Sequence, residues 1–167
     1  MKGSRILSIG LPALLCAGLA LAAAEKSNAG FEKLKSLAGE WEGKATDGKT
    51  VKATYKVTSG GSALAETLQT EGEPEMLTVY HLDGGHLMMT HYCSLANQPR
   101  MRAAAFSGDP KSLDFQYVGA TNLAKADAPH MHHLVIAFDD SDHVTQKWTL
   151  KGMGPDKEAA FHLARKK

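Results

Sequence analysis

From Asn28 onward the chain shows two hydrophobic periods in succession. In NAGFEKLKSLAGEW, Phe31, Leu34 and Leu37 or Ala38 recur at helical spacing on one face, with Asn28 placed to cap the first turn and Gly39 to end the last. After that helix the period drops to two. TVKATYKVT alternates Val51, Ala53, Tyr55 and Val57 with Lys52, Thr54, Lys56 and Thr58, the pattern of a strand with one dry face and one wet face.

Turn signals then interrupt short alternating runs: Asp47-Gly48, Gly60-Gly61, Gly72 to Pro74, Asp83-Gly84-Gly85, Asn97 to Pro99, Asp109-Pro110, Asp139 to Asp142 and Gly152 to Pro155. The runs between them predict ten strands, near Glu40, Thr50, Ala63, Met76, His86, Arg100, Ser112, His130, His143 and Glu158. One connection, Gly119 to Pro129, is long. A run of neighbouring hairpins favours an up-and-down meander, and closing the meander into a barrel removes its exposed edges. The expected fold is therefore all-β: an antiparallel up-and-down barrel of about ten strands with a short N-terminal helix.

The segment before the helix changes the inventory of the folded domain. Lys2 and Arg5 precede an apolar stretch from Ile6 to Leu21, and Ala22, Ala23 and Ala24 follow it, as in a secretory signal peptide cleaved after Ala24. We expect residues 1–24 to be the leader and residues 25–167 to form one exported domain, periplasmic or secreted. Losing two basic residues and no acidic ones takes the formal charge from +1 to −1, which attracts neither nucleic acid nor an anionic membrane surface. Cys93 then stands alone, so no intramolecular disulfide can form and the core must hold the fold.

LAGEWEG, the meander, and the ending FDDSDHVTQKW followed by AAFHLARKK resemble the bacterial lipocalin-like barrels filed as domains of unknown function. More distantly the chain resembles calycins, the group of lipocalins, fatty-acid-binding proteins and haem-binding nitrobindins. Gly39, Glu40 and Trp41 match the Gly-x-Trp that opens the first calycin strand, where the Trp packs across the barrel bottom. The resemblance implies a cavity for an apolar or amphipathic small molecule.

HLDGGHLMMTHYC, His81 to Cys93, is the densest chemical stretch. A hairpin across Asp83-Gly84-Gly85 puts Thr78, Tyr80, Leu82, Leu87, Met89, His91 and Cys93 on one face, which we take as the cavity wall. Methionine supplies adaptable lining there, and Tyr80 and His91 supply polar groups to orient a ligand. In HMHHLVIAF, an even-length turn over Asp139 to Asp142 pairs Phe138 with His143 and His133 with Trp148. That register puts Val135, Ala137, Val144 and Trp148 on the interior face and His133 on the inner wall, leaving His130 and His132 outside near the long loop. The expected ligand-binding wall comprises Trp41, Tyr55, Tyr80, Met89, His91, Tyr117, His133 and Trp148.

Three other chemistries compete with ligand binding. A metal site would use His130 and His132 with His91, His143 or Asp142 as a third ligand. A haem would need His91 or His133 facing an apolar pocket. Cys93 and His91 as a nucleophilic pair stand two residues apart on one strand, an awkward separation for a hydrogen bond, and no orienting carboxylate is evident. No catalytic residue, metal ligand or cofactor is assigned from the sequence, and an enzyme acting on a barrel-bound ligand is the third reading. Glu66, Asn97, Gln98, Arg100, Arg102 and Asn122 read as turn or mouth chemistry, and the terminal ARKK as a solvated end.

Overall fold

A computed structural model describes residues 28–167. The leader expected over residues 1–24 lies outside the described residues. Helix α1 (Ala29–Lys35) is capped by Asn28, whose side chain accepts the Phe31 backbone N–H at 3.0 Å. It presents Phe31 and Leu34 to the core, with Leu37 just beyond its end. Ser36, not Gly39, closes the helix, its hydroxyl donating to the Lys33 carbonyl at 2.6 Å. Gly39, at a φ of +129° that other residues rarely adopt, opens the first strand.

Ten strands follow: β1 (Gly39–Ala45), β2 (Thr50–Thr58), β3 (Ala63–Thr70), β4 (Met76–Asp83), β5 (His86–Tyr92), β6 (Gln98–Ala103), β7 (Ser112–Thr121), β8 (His130–Phe138), β9 (His143–Lys151) and β10 (Lys157–Arg165). Each pairs antiparallel with its sequence neighbours, and β10 pairs with β1 to close the barrel. Closure brings β1 and β10 together at Gly43, where any Cβ would collide with the His162 carbonyl oxygen. The meander and its closure are as the turn spacing predicts.

Side-chain alternation sorts the strands. Val51, Ala53 and Tyr55 of β2 point inward with Leu64 and Leu68 of β3, Tyr80 of β4, Leu87 and Met89 of β5, Met101 of β6 and Phe115 of β7. Helix α1 stoppers one end. Its Asn28 side chain donates to the Gly85 carbonyl at 3.1 Å in the β4–β5 turn, and Lys33 reaches Asp109 in the β6–β7 loop. The opposite end, ringed by the β1–β2, β3–β4, β5–β6, β7–β8 and β9–β10 connections, carries no helix among the described residues.

The β4–β5 hairpin has the expected register, with Thr78 opposite His91, Tyr80 opposite Met89 and Leu82 opposite Leu87. The β8–β9 hairpin differs by one residue. Phe138 pairs with Val144 and Leu134 with Trp148, because His143 belongs to the turn end, where its carbonyl accepts the Asp139 and Asp140 N–H groups. A one-residue slip moves every side chain to the other face. Leu134 and Ile136 are therefore interior, in place of Val135 and Ala137, and His133 stands on the outer wall beside Gln116. A bulge between Met131 and His133 restores the other register at the open end, where Met131 pairs with Leu150.

Candidate functional site

The inner wall carries a polar cluster that no turn explains. Glu66 shares the phase of Leu64 and Leu68 on β3, so alternation sends its carboxyl into the barrel, where it is fully buried. Tyr80 donates its hydroxyl to Glu66 Oε2 at 2.7 Å, and the Gln146 amide donates to the other carboxyl oxygen and to the Tyr55 hydroxyl. The Trp148 indole N–H donates to Gln146 Oε1 at 2.8 Å. Burial pushes the Glu66 carboxyl above its ordinary range, against the pull of the Tyr80, Gln146 and Tyr55 hydrogen bonds. Burial, with Glu66 close by, also pushes both tyrosine hydroxyls up.

His91 lies beside this cluster. Its Nδ1 is 2.9 Å from the Thr78 hydroxyl, and its ring packs on Trp148 with centroids 4.6 Å apart. Nε2 is buried and has no partner among the described residues. Burial holds the ring neutral, with its pKa lowered to about 4.

One step nearer the open end on the same strand faces come Met76, Cys93 and Leu150, and there the packing opens into a depression of about 370 Å³. Its apolar lining comes from Met76 of β4, Cys93 and Leu95 of the β5–β6 connection, Met131 of β8, Leu150 of β9 and Phe161 of β10. Asp47, Lys49, Glu73 and Glu158 form its rim. Thr78, His91 and Trp148 are the next inward-facing residues on β4, β5 and β9 and do not themselves line the depression. Cys93 is a buried free thiol whose pKa burial raises, so it is the protonated form that lines this space. Wider clefts of about 450 and 540 Å³ sit on the helix end, the first beside Asn28 and Arg102, the second beside Lys33 and Asp140.

The expected wall residues divide three ways. Trp41, Tyr55, Tyr80, Met89, His91 and Trp148 are all buried in the barrel, with Trp41 at the helix end donating its indole N–H to the Leu37 carbonyl at 2.7 Å. Tyr117 stands half-buried at the open end, stacked on His132 and tilted against His130, with centroids 4.7 Å from each. His133 corrects the expectation: it faces outward, with Nε2 at 2.9 Å from Asp114, because of the shifted β8–β9 register. Glu66, expected in a turn or at the mouth, is instead deep in the interior, and Gln146 was the residue that sequence reasoning missed. Their phase with Leu64 and Leu68, and with Val144 and Trp148, was the signal.

His130 and His132 touch. His130 Nδ1–H donates to the Ala128 carbonyl at 2.7 Å, so its Nε2 is the acceptor for His132 Nδ1–H at 3.0 Å. Burial and the nearby Lys151 lower the His132 pKa. The third ligands proposed for a metal stand elsewhere: His91 inside the barrel, His143 against Asp140 at 2.8 Å, and Asp142 against Arg165. Among the described residues no three His, Cys, Asp or Glu side chains converge on one point. No protein-family model matches the chain, and no curated protein is detectably similar to it.

Proposed function

We propose that this barrel is an exported, lipocalin-like protein of the calycin type that holds a small apolar or amphipathic molecule at its open end. The observation that carries the reading is the mouth depression: about 370 Å³ of space with apolar walls and a polar rim. The helix-stoppered end and the buried Trp41 after Gly39 support the calycin assignment. Met76 and Met131 give the walls an adaptable surface, suited to a range of shapes rather than one rigid outline. The bound molecule rests its apolar part on these side chains.

A second reading has one observation in its favour, the touching pair His130 and His132, two nitrogen ligands in search of a third. One experiment separates the two. Titration of the neutral fluorophore N-phenyl-1-naphthylamine should give saturable binding that chelator treatment leaves unchanged. Ala159→Trp, which puts bulk into the mouth, should weaken it by about tenfold or more, and His133→Ala on the outer wall should not. Absence of probe binding together with stoichiometric metal in the purified protein would transfer the assignment to the histidine pair.

A further inference from the structure

The charge around the mouth is lopsided. Three carboxylates, Asp47, Glu73 and Glu158, share the rim with one cation, Lys49. Lys49 is already engaged by two of them, at 3.1 Å from Glu73 and 3.7 Å from Asp47. No cation stands within ion-pair distance of Glu158 among the described residues, and Lys151 on the neighbouring strand is turned to Asp156 at 3.7 Å. The interior beneath the mouth offers an anion no partner either. No lysine or arginine is buried among the described residues, and the one buried carboxyl, Glu66, is occupied by Tyr55, Tyr80 and Gln146.

We infer that the molecule held at the open end is a cationic amphiphile, an amine with an apolar body, and not a fatty-acid-like anion. This rests on the ligand-binding reading of the mouth and adds the charge class of the ligand. A protonated amine at the rim gains Glu158, the rim carboxylate that no cation pairs among the described residues, as a hydrogen-bond acceptor, while its hydrocarbon body covers Met76, Met131, Leu150 and Phe161. A carboxylate in the same place meets the unpaired Glu158 and a lysine already shared by Asp47 and Glu73. A cation inserted head-first meets a neutral histidine and a saturated Glu66, so the amine stays at the rim and the body goes in. The rim is open to solvent, so its charges act as a selectivity filter among amphiphiles of one size rather than as the main source of affinity.

The test is displacement of N-phenyl-1-naphthylamine by octylamine, octanol and octanoate, which share one chain length and differ in head-group charge, at neutral pH and low salt. Octylamine should bind about fivefold tighter than octanol, with octanoate weaker than both, and high salt should shrink the spread. In an Asp47→Asn, Glu158→Gln double variant, octylamine should fall to the octanol value while octanol stays unchanged. Octanol binding with octanoate equal to or tighter than octylamine overturns the charge inference and leaves the ligand-binding reading standing. An unaltered octylamine advantage in the double variant also overturns the inference. Failure of the fluorophore and all three amphiphiles to bind wild type overturns both.

Discussion

The guanidinium of Arg165 lies over the indole of Trp41, 4.4 Å from the ring centroid. The same group donates to the carbonyls of Ala38 at 2.9 Å and Ser36 at 2.8 Å, and it meets Asp142 at 3.5 Å. The last strand thus caps the first ring of the barrel and satisfies two carbonyls left free where α1 ends. The terminal charges read from the sequence as a solvated tail include this structural arginine.

Arg165→Ala should therefore destabilise the barrel by about 2 to 3 kcal/mol, the sum expected for a partly buried cation–π contact and charged hydrogen bonds to two carbonyls. Arg165→Lys keeps the charge but loses the planar fork, and should recover less than half of that loss. Urea melts of the two variants against wild type, with unchanged m-values, measure both.

The stability of the protein should fall on mild acidification because of His91. Its folded pKa of about 4 lies below the ordinary histidine value of 6.5, so between those two pH values the unfolded chain binds more protons. The contribution is complete above about pH 6.5, is lost as pH falls towards 4, and amounts to about 3 kcal/mol over the window. His91→Gln should flatten this limb of the pH profile. An equally steep acid limb in the variant would assign the effect to other groups.

Glu66 acts with the opposite sign. Burial raises its folded pKa, so the folded chain binds the extra proton, and its contribution to stability is present below the ordinary carboxyl value and lost as pH rises through the folded pKa. Gln at this position imitates the protonated acid. Glu66→Gln should be close to neutral at low pH and grow progressively more favourable, relative to wild type, as pH rises. Thermal melts of both proteins across that range show whether the difference opens in this direction.

The register of β8 can be read by substitution. Leu134 is fully buried against its partner Trp148, so Leu134→Ala should cost about 2 to 5 kcal/mol, whereas Val135→Ala on the outer face should cost less than about 1 kcal/mol. Comparable losses at the two positions, or a larger one at Val135, would restore the even-length turn.

Local chemistry sufficed for the barrel itself. Ten alternating runs, each bounded by Gly, Asp, Asn or Pro, name ten strands, and short connections leave each little choice but to pair with its neighbour. The Asn28 cap and the Tyr80, Met89 and His91 face were legible for the same reason: both depend on residues a few positions apart or on a tight hairpin whose loop length sets the register. His133 was misread because the Asp139 to His143 segment offers several side-chain and backbone partners to the same turn, and one extra residue in it reverses the strand. Glu66, Gln146 and Arg165 depend on closure. Their partners lie 80 residues away in the case of Glu66 and Gln146, and 127 in the case of Arg165 and Ala38, and only joining β10 to β1 brings such groups within hydrogen-bond distance. The sequence alone therefore determined which segments are strands and which hairpins form. The tertiary structure decided which polar groups share the interior and where space remains at the mouth, because burial and contact across a barrel belong to the closed sheet and not to any strand in it.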